Sequence, residues 1–385
     1  MQKAIFDEID RLNSTYIDVW EAVCNIESPS NDKASVDRVG AYFRKLAEKR
    51  NWKIEVFEQE RFGDVICITM NPGSANQPIA LSGHMDTVHP IGSFGTPAVW
   101  RDETRLYGPG AMDCKGGVVA GFLAMDALHN CGFKARPIMM LLQSNEEIGS
   151  GLKNKAPIKY ICQKAKDVIA FLNLEGHEGF FDGKACLIRK GIAGFKFSIQ
   201  GVETHASYCA REGASAIREA AYKIIEIEKI KDNEGVTCNC GVISGGTATN
   251  TVPGKCEFRV DVRFYTQEQY ENTVAFLQKI ADIEYVSGCS CTMELTNLRS
   301  AMELNERNVA LLNKANELFA KNGLSELEIG MRTGGSDASD VASCGIACID
   351  SIGVAGERAH SVEEYGVISS LAESAKRIAS IICGI

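Results

Sequence analysis

Six histidines in 385 residues is a small number, and two of them stand in motifs that also carry carboxylates at apparent strand ends. His84 sits in "GHMD" and His360 in "GERAHSVEEY". The other acids near apparent strand ends are Asp113 in "YGPGAMDCKGG", Glu146 and Glu147 in "SNEEIGSG", and Glu175 in "LNLEG". Singly, each is a weak signal, because a loop carboxylate is usually just solvated. A histidine next to a sheet is more often a satisfied structural residue than a ligand. Together they are harder to dismiss. Carboxylates at the ends of buried strands are costly unless a cation neutralises them. Two zincs would carry four positive charges, balanced by Asp113, Glu147, Glu175 and a hydroxide, with His84 and His360 as nitrogen ligands. Asp86 lies two residues beyond His84, so on an extended chain it faces the same side and can fix the imidazole tautomer. Glu146 and Glu147 are adjacent and diverge on an extended backbone, so one can hold metal while the other faces the water.

Such residues need a scaffold that presents strand ends. The chain is too long for one ordinary core, so two domains are expected. Residues 3–26 and 33–50 read as helices, the second with an apolar stripe at Val36, Val39, Tyr42, Phe43 and Leu46. Short apolar strands follow near 54–58, 65–70 and 78–82, then a Gly/Ala-rich helix at 115–129 and apolar runs at 137–143 and 167–174. Continuous apolar runs alternating with helices predict a mixed, mostly parallel sheet sandwiched by helices, an α/β fold. The pattern then changes. Residues 191–201, 236–243, 255–264 and 289–296 alternate in polarity, with helical segments at 211–230 and 266–283. That order is β-α-β-β-α-β, the ferredoxin-like α+β arrangement. The expected organisation is a larger domain from residues 1–189 and 299–385, interrupted by an inserted domain at 190–298.

Composition narrows the function classes. Apolar residues make up 45% and charged residues 24%, as in a globular protein. The net charge of −9 argues against nucleic acid or an anionic membrane as a partner. The N-terminus has no apolar signal-peptide core, and no run approaches membrane-spanning length. The 15 cysteines are scattered and fit a reducing cytoplasm.

Two motifs compete with the metal reading. "GPGAMD" begins like a dinucleotide loop, but Asp113 replaces the third glycine and would repel a pyrophosphate. "TGGSDAS" resembles a nucleophile elbow, and Ser336, Asp337 and His360 follow the hydrolase order. That reading leaves Asp113, Glu146, Glu147 and Glu175 without a purpose.

The order "GHMDTV … GPGAMDCKGG … NEEIGSG … LEG … THAS … NTVPGKCEFRVDVR … GGSDAS … GERAHSVEEY" resembles the di-zinc metallopeptidase and deacylase superfamily. That superfamily includes glutamate carboxypeptidases of the carboxypeptidase G type, acetylornithine and succinyl-diaminopimelate deacylases, aminoacylases and di-zinc dipeptidases. The resemblance runs from about residue 80 to the C-terminus. It implies His84 and Glu175 on one zinc, Glu147 and His360 on the other, and Asp113 bridging both. Glu146 becomes the general base and Asp86 the residue that orients His84. A cis peptide is implied after the bridging aspartate, at Asp113–Cys114. His205 would stabilise the oxyanion in a partner subunit's site, Asn250 would bind substrate, and Arg263 would grip its carboxylate. Gly335 and Ser336 would line the substrate pocket. The implied function is zinc-assisted hydrolysis of a peptide or N-acyl amino acid with a free α-carboxylate. Cobalt or manganese could substitute for zinc, and a homodimer would form through the inserted lid. A deacylase or dipeptidase on the same site is the alternative. A non-catalytic scaffold would be expected to have lost a ligand or the base, and none is missing.

Overall fold

The computed structural model describes residues 2–150, 155–178, 183–208, 211–232 and 235–385. The chain divides into two compact units. The first comprises Met1–Leu187, Leu304–Met331 and Ser336–Ile385, and the second comprises Ile188–Glu303 and Arg332–Gly335.

The first unit is built on a six-stranded sheet in the order Lys53–Phe57, Val65–Met70, Ile138–Gln143, Ile79–His84, Ala170–Asn173, Cys348–Ile349. The first two pairings are antiparallel and the remaining three parallel, as the apolar runs predict. Val65–Met70, Ile79–His84 and Ile138–Gln143 are buried at every position. Strands covered on both faces have no reason to alternate in polarity. The helix Lys115–Asn130 is buried from Lys115 to Leu128 and packs against helices Gln2–Cys24 and Ser370–Gly384. Its glycines permit this closeness. A Cβ on Gly117 would lie 1.8 Å from the Leu174 carbonyl oxygen, so any larger residue would push away the strand end that carries Glu175.

A second, five-stranded sheet runs Trp100–Arg101, Arg105–Tyr107, Tyr365–Val367, Ala355–Glu357, His177–Glu178. Its strands are two or three residues long, too short for a periodicity to announce them. The apolar stretch 345–353 contributes only Cys348–Ile349 to the large sheet. Beyond it Asp350 turns inward to accept from Asn173 Nδ2 at 2.9 Å.

The second unit holds an antiparallel sheet ordered Thr237–Gly245, Lys255–Phe264, Gly191–Gln200, Ser290–Arg299. Helices Ala216–Ile227 and Gln267–Asp282 complete the β-α-β-β-α-β order. The strand Gly191–Gln200 alternates strictly in burial and sends Phe195, Phe197 and Ile199 into a core with Phe258, Val260 and Leu277. Helix Gln267–Asp282 starts at a capping box in which Thr266 and Gln269 satisfy each other's backbone amides. The other helix is shorter than the 211–230 expected, beginning after its cap Ser215. Among the described residues, no helix is long and apolar enough to cross a membrane.

Candidate metal centre

Three parallel neighbours in the large sheet end at the same edge. His84 closes the strand Ile79–His84 and pairs in register with Gln143. Three residues beyond Gln143 the chain enters a single 3₁₀ turn, Glu146–Ile148, and two residues beyond Asn173 it reaches Glu175. The carboxyl ends of parallel strands are where such sheets assemble their sites. Asp113 arrives on the loop after Arg105–Tyr107, and His360 on the loop between Ala355–Glu357 and Tyr365–Val367. The Asp113–Cys114 peptide is cis.

The five side chains converge. His84 Nε2 lies 2.9 Å from Asp113 Oδ1 and 3.8 Å from Glu175 Oε1. His360 Nε2 lies 3.4 Å from Asp113 Oδ2 and 3.1 Å from Glu147 Oε2. The two oxygens of Asp113 are therefore divided between two histidines, and each histidine has a second carboxylate of its own. Ligand atoms of His84, Asp113 and Glu147 all lie within 4.8 Å of one another, and so do those of His84, Cys114 and Glu175.

Electrostatics marks the same cluster. Burial, then the charge of Asp113, pushes the Glu147 carboxyl up to about 8. Hydrogen bonds to Asp113 and Glu147 raise the His360 imidazole to about 11. Asp113 is partly buried, which opposes ionisation, yet the two histidines hold it well below the usual carboxylate range. His84 is lifted well above its ordinary value: burial opposes this, and its neighbours Cys114, Asp113 and Asp86 outweigh it. In the metal-free protein, protons thus occupy positions between negative groups. Two imidazoles and three carboxylates in this arrangement fit a pair of zinc ions in both donor type and charge.

Asp86 is fully buried and is used more heavily than its spacing suggests. His84 Nδ1 lies 3.0 Å from the Asp86 carbonyl oxygen and 3.5 Å from its Oδ1. The nearer partner is therefore main chain. The carboxylate mainly accepts other groups: the Glu146 amide at 3.1 Å, the Glu147 amide at 3.2 Å and the Ser30 hydroxyl at 2.6 Å. Glu146 and Glu147 occupy the 3₁₀ turn, not the extended backbone expected, because Asp86 gathers both of their amides. Glu146 is buried in that turn.

The remaining expected residues lie in or beside the second unit. His205 is on the short strand Thr204–His205, opposite Thr251, and Asn250 precedes Thr251, so these two are neighbours. His205 Nδ1 lies 2.7 Å from Ser207 Oγ, which leaves Nε2 for a ligand. Arg263 forms a two-pronged pair with Asp261, at 2.7 and 3.2 Å. Its guanidinium thus already faces one carboxylate. The Gly335 carbonyl accepts from Arg189 at 3.4 Å. Ser336, expected to line the substrate pocket, is fully buried. Its hydroxyl caps the helix Asp337–Ser343 and accepts from Asn173 at 2.9 Å. That post is structural, and it also removes the exposed nucleophile an elbow would need.

Two residues without an expected role adjoin the centre. Glu364, almost fully buried, accepts the amides of Met112 and Asp113 on Oε1 at 2.9 and 3.0 Å. Its Oε2 accepts the amide of Gly110 at 3.2 Å and meets His89 Nε2 at 3.1 Å. The available signal was a second glutamate beside His360 in "HSVEEY".

A model of the peptidase dimerisation domain matches residues 187–289. The chain is 26% identical over 362 residues to carboxypeptidase G2 of Pseudomonas sp. (strain RS-16), covering 92% of this chain and 85% of that protein. Its fold resembles aminopeptidase PepT from Bacillus cereus with a TM-score of 0.78 at 21% identity, covering 96% and 98% of the two chains. It also resembles a dinuclear metal-binding peptidase of the M20 family from Bacillus subtilis, with a TM-score of 0.73 at 15% identity over 97% and 98%.

Proposed function

We propose that this chain, which belongs to the superfamily of metallopeptidases and deacylases, is a two-zinc hydrolase of an amide bond next to a free α-carboxylate. The division of the Asp113 oxygens between His84 and His360 carries this reading. His84 and Glu175 would hold one zinc, Glu147 and His360 the other, and Asp113 both. When bound, the zincs lower the pKa of water to about 7 and polarise the scissile carbonyl.

The protein's own groups do the rest. Glu146 takes the proton of the attacking water and returns it to the leaving nitrogen. Asp86 fixes the turn that carries Glu146 and the ring of His84. His205 donates to the developing oxyanion of the partner subunit's substrate, and Asn250 binds beside it. Such donors are typically worth about 3–4 kcal/mol. Arg263 orients the substrate carboxylate by exchanging part of its pairing with Asp261.

The second unit, Ile188–Glu303 with Arg332–Gly335, is assigned as the lid and dimerisation module expected at residues 190–298. Its edge strand Thr237–Gly245 is exposed from Gly241 onwards, with Val242 and Ile243 bare. An apolar sheet edge of this kind calls for a partner strand. Helix Ala216–Ile227 adds exposed Ile217, Tyr222 and Ile225 in the same unit. A second copy of the chain is the occupant the dimerisation-domain match favours.

The test is a panel of dipeptides and N-acyl amino acids, each with a free and an amidated C-terminus, assayed with added zinc, cobalt or manganese. Cleavage restricted to free carboxylates, with Arg263→Ala raising KM for them, supports the reading. Equal turnover of the amidated series would refute the carboxylate requirement. Preference for acetyl over aminoacyl groups would favour the deacylase alternative.

A further inference from the structure

We propose that Glu364, assisted by His89, is a positioning residue that sets the bridging aspartate and ties it to His360. This rests on the two-metal reading above and extends it to residues outside the ligand set. The geometry is a clamp on main chain. One carboxylate oxygen of Glu364 takes the amides of Met112 and Asp113, and the other takes the amide of Gly110. The Gly108 amide adds a bond to the Glu364 backbone carbonyl at 3.2 Å. Four amides within the "GPGAMD" loop thus converge on one residue.

That loop bears the side chain on which the centre depends. Asp113 must present Oδ1 to His84 and Oδ2 to His360, so small rotations of its backbone would move both oxygens. Holding the Asp113 amide itself, at 3.0 Å, fixes the backbone at the residue that matters. Glu364 also lies on the segment that carries His360, four residues further along. Its own amide bonds the Ser361 carbonyl at 3.0 Å. Two ligands from distant parts of the chain are therefore held in register through one carboxylate. A buried carboxylate needs compensation, and here the amides and His89 supply it. His89 is buried too, with its ring edge-on to Phe94 at 4.8 Å between centroids. Trp20 holds the same loop from another direction, donating to the Ala111 carbonyl at 3.0 Å.

Outer groups of this kind typically change metal affinity or activity about 10–100-fold when altered. The experiment is cobalt titration of the full-length, metal-stripped protein, followed by visible absorption and chelator competition, on the wild type and Glu364→Gln. The expected result is a variant that melts cooperatively but binds at least one cobalt about 10–100-fold more weakly. Its cobalt spectrum should be altered, and kcat should fall while KM stays within about twofold. If Glu364→Gln fails to fold, His89→Phe keeps an aromatic ring on Phe94 but removes the donor. It should shift cobalt affinity and spectrum in the same direction, with His89→Gln restoring them. A folded Glu364→Gln protein with the wild-type isotherm and spectrum would overturn the proposal, as would a folded His89→Phe protein that behaves so. Wild-type protein that binds no cobalt would instead overturn the two-metal reading, and this proposal with it.

Discussion

Asp86 Oδ1 accepts the backbone amide of Glu146 at 3.1 Å. The residue proposed to orient His84 thereby also anchors the turn that bears Glu146, the proposed general base. Removing it should harm two functions at once. Asp86→Ala is expected to weaken binding of one zinc and lower kcat, each by about 10–100-fold. Replacing a ligand such as His84 with alanine should remove one zinc outright. Metal content after dialysis, read beside kcat, separates the two outcomes. An Asp86→Ala protein with normal metal content and normal kcat would refute both roles.

Glu146 is assigned proton transfer and no metal. Glu146→Gln preserves size and turn geometry, so both metals should remain bound. A general base typically contributes about 10²–10⁴-fold, and kcat should fall by that range. Elemental analysis of the purified variant alongside steady-state rates is the check. Near-normal turnover would remove Glu146 from the mechanism, whereas loss of metal would make it a ligand.

Four of the five ligand candidates could be found in sequence because they follow an apolar strand or a Gly-rich turn, and those signals are local, whereas His360 stands out by residue type in its motif. These five residues stand in distant motifs; the register of the large sheet brings His84, Glu147 and Glu175 to one edge, and loops of the five-stranded sheet bring Asp113 and His360. The second unit was legible for a similar reason: strands exposed on one face must alternate, and Lys255–Phe264 does so along its length. What escaped was chemistry carried by backbone. Glu364 acts on amides of Gly110, Met112 and Asp113, and an amide leaves no trace in residue type. Ser336, expected in the substrate pocket, is instead buried at a helix start. A serine that caps a helix through its hydroxyl has the same residue type as one that lines a pocket, so only its burial tells the two apart.

Raised proton affinities at the centre predict proton release on metal binding. Without metal, His360 holds its proton up to about pH 11 and Glu147 up to about pH 8. A metal needs both groups deprotonated. Glu147, His360 and His84 should therefore release protons on loading, fewer of them as the pH rises through about 8, where Glu147 loses its proton without metal, and then about 11 for His360. Apparent affinity should rise with pH throughout. Both folded values lie above the ordinary 4.5 and 6.5. Their contribution to metal-free stability is thus present at low pH and lost as pH rises through about 8 and then 11. Calorimetric titrations in buffers of different ionisation enthalpy count the protons. An enthalpy independent of buffer would contradict the protonated cluster.

The exposed edge of the second unit predicts what assembly depends on. Val242 and Ile243 are 58% and 53% exposed at the outer strand of the sheet. Charged residues are the ordinary means by which an edge strand is kept single. Val242→Lys with Ile243→Glu should therefore yield a folded monomer, because neither side chain contributes to the core around Phe195 and Phe258. If His205 serves the partner subunit's site, the monomer should keep both metals yet lose most turnover, as a His205→Ala dimer should. Mixing His205→Ala protein with an inactive Glu146→Gln protein offers a sharper test. In mixed dimers, one site combines an intact Glu146 with the other chain's His205, so part of the activity should return. Sedimentation velocity reports the assembly and initial rates the complementation. A fully active monomer, or no recovery in mixtures shown to exchange subunits, would place His205 outside the partner's site.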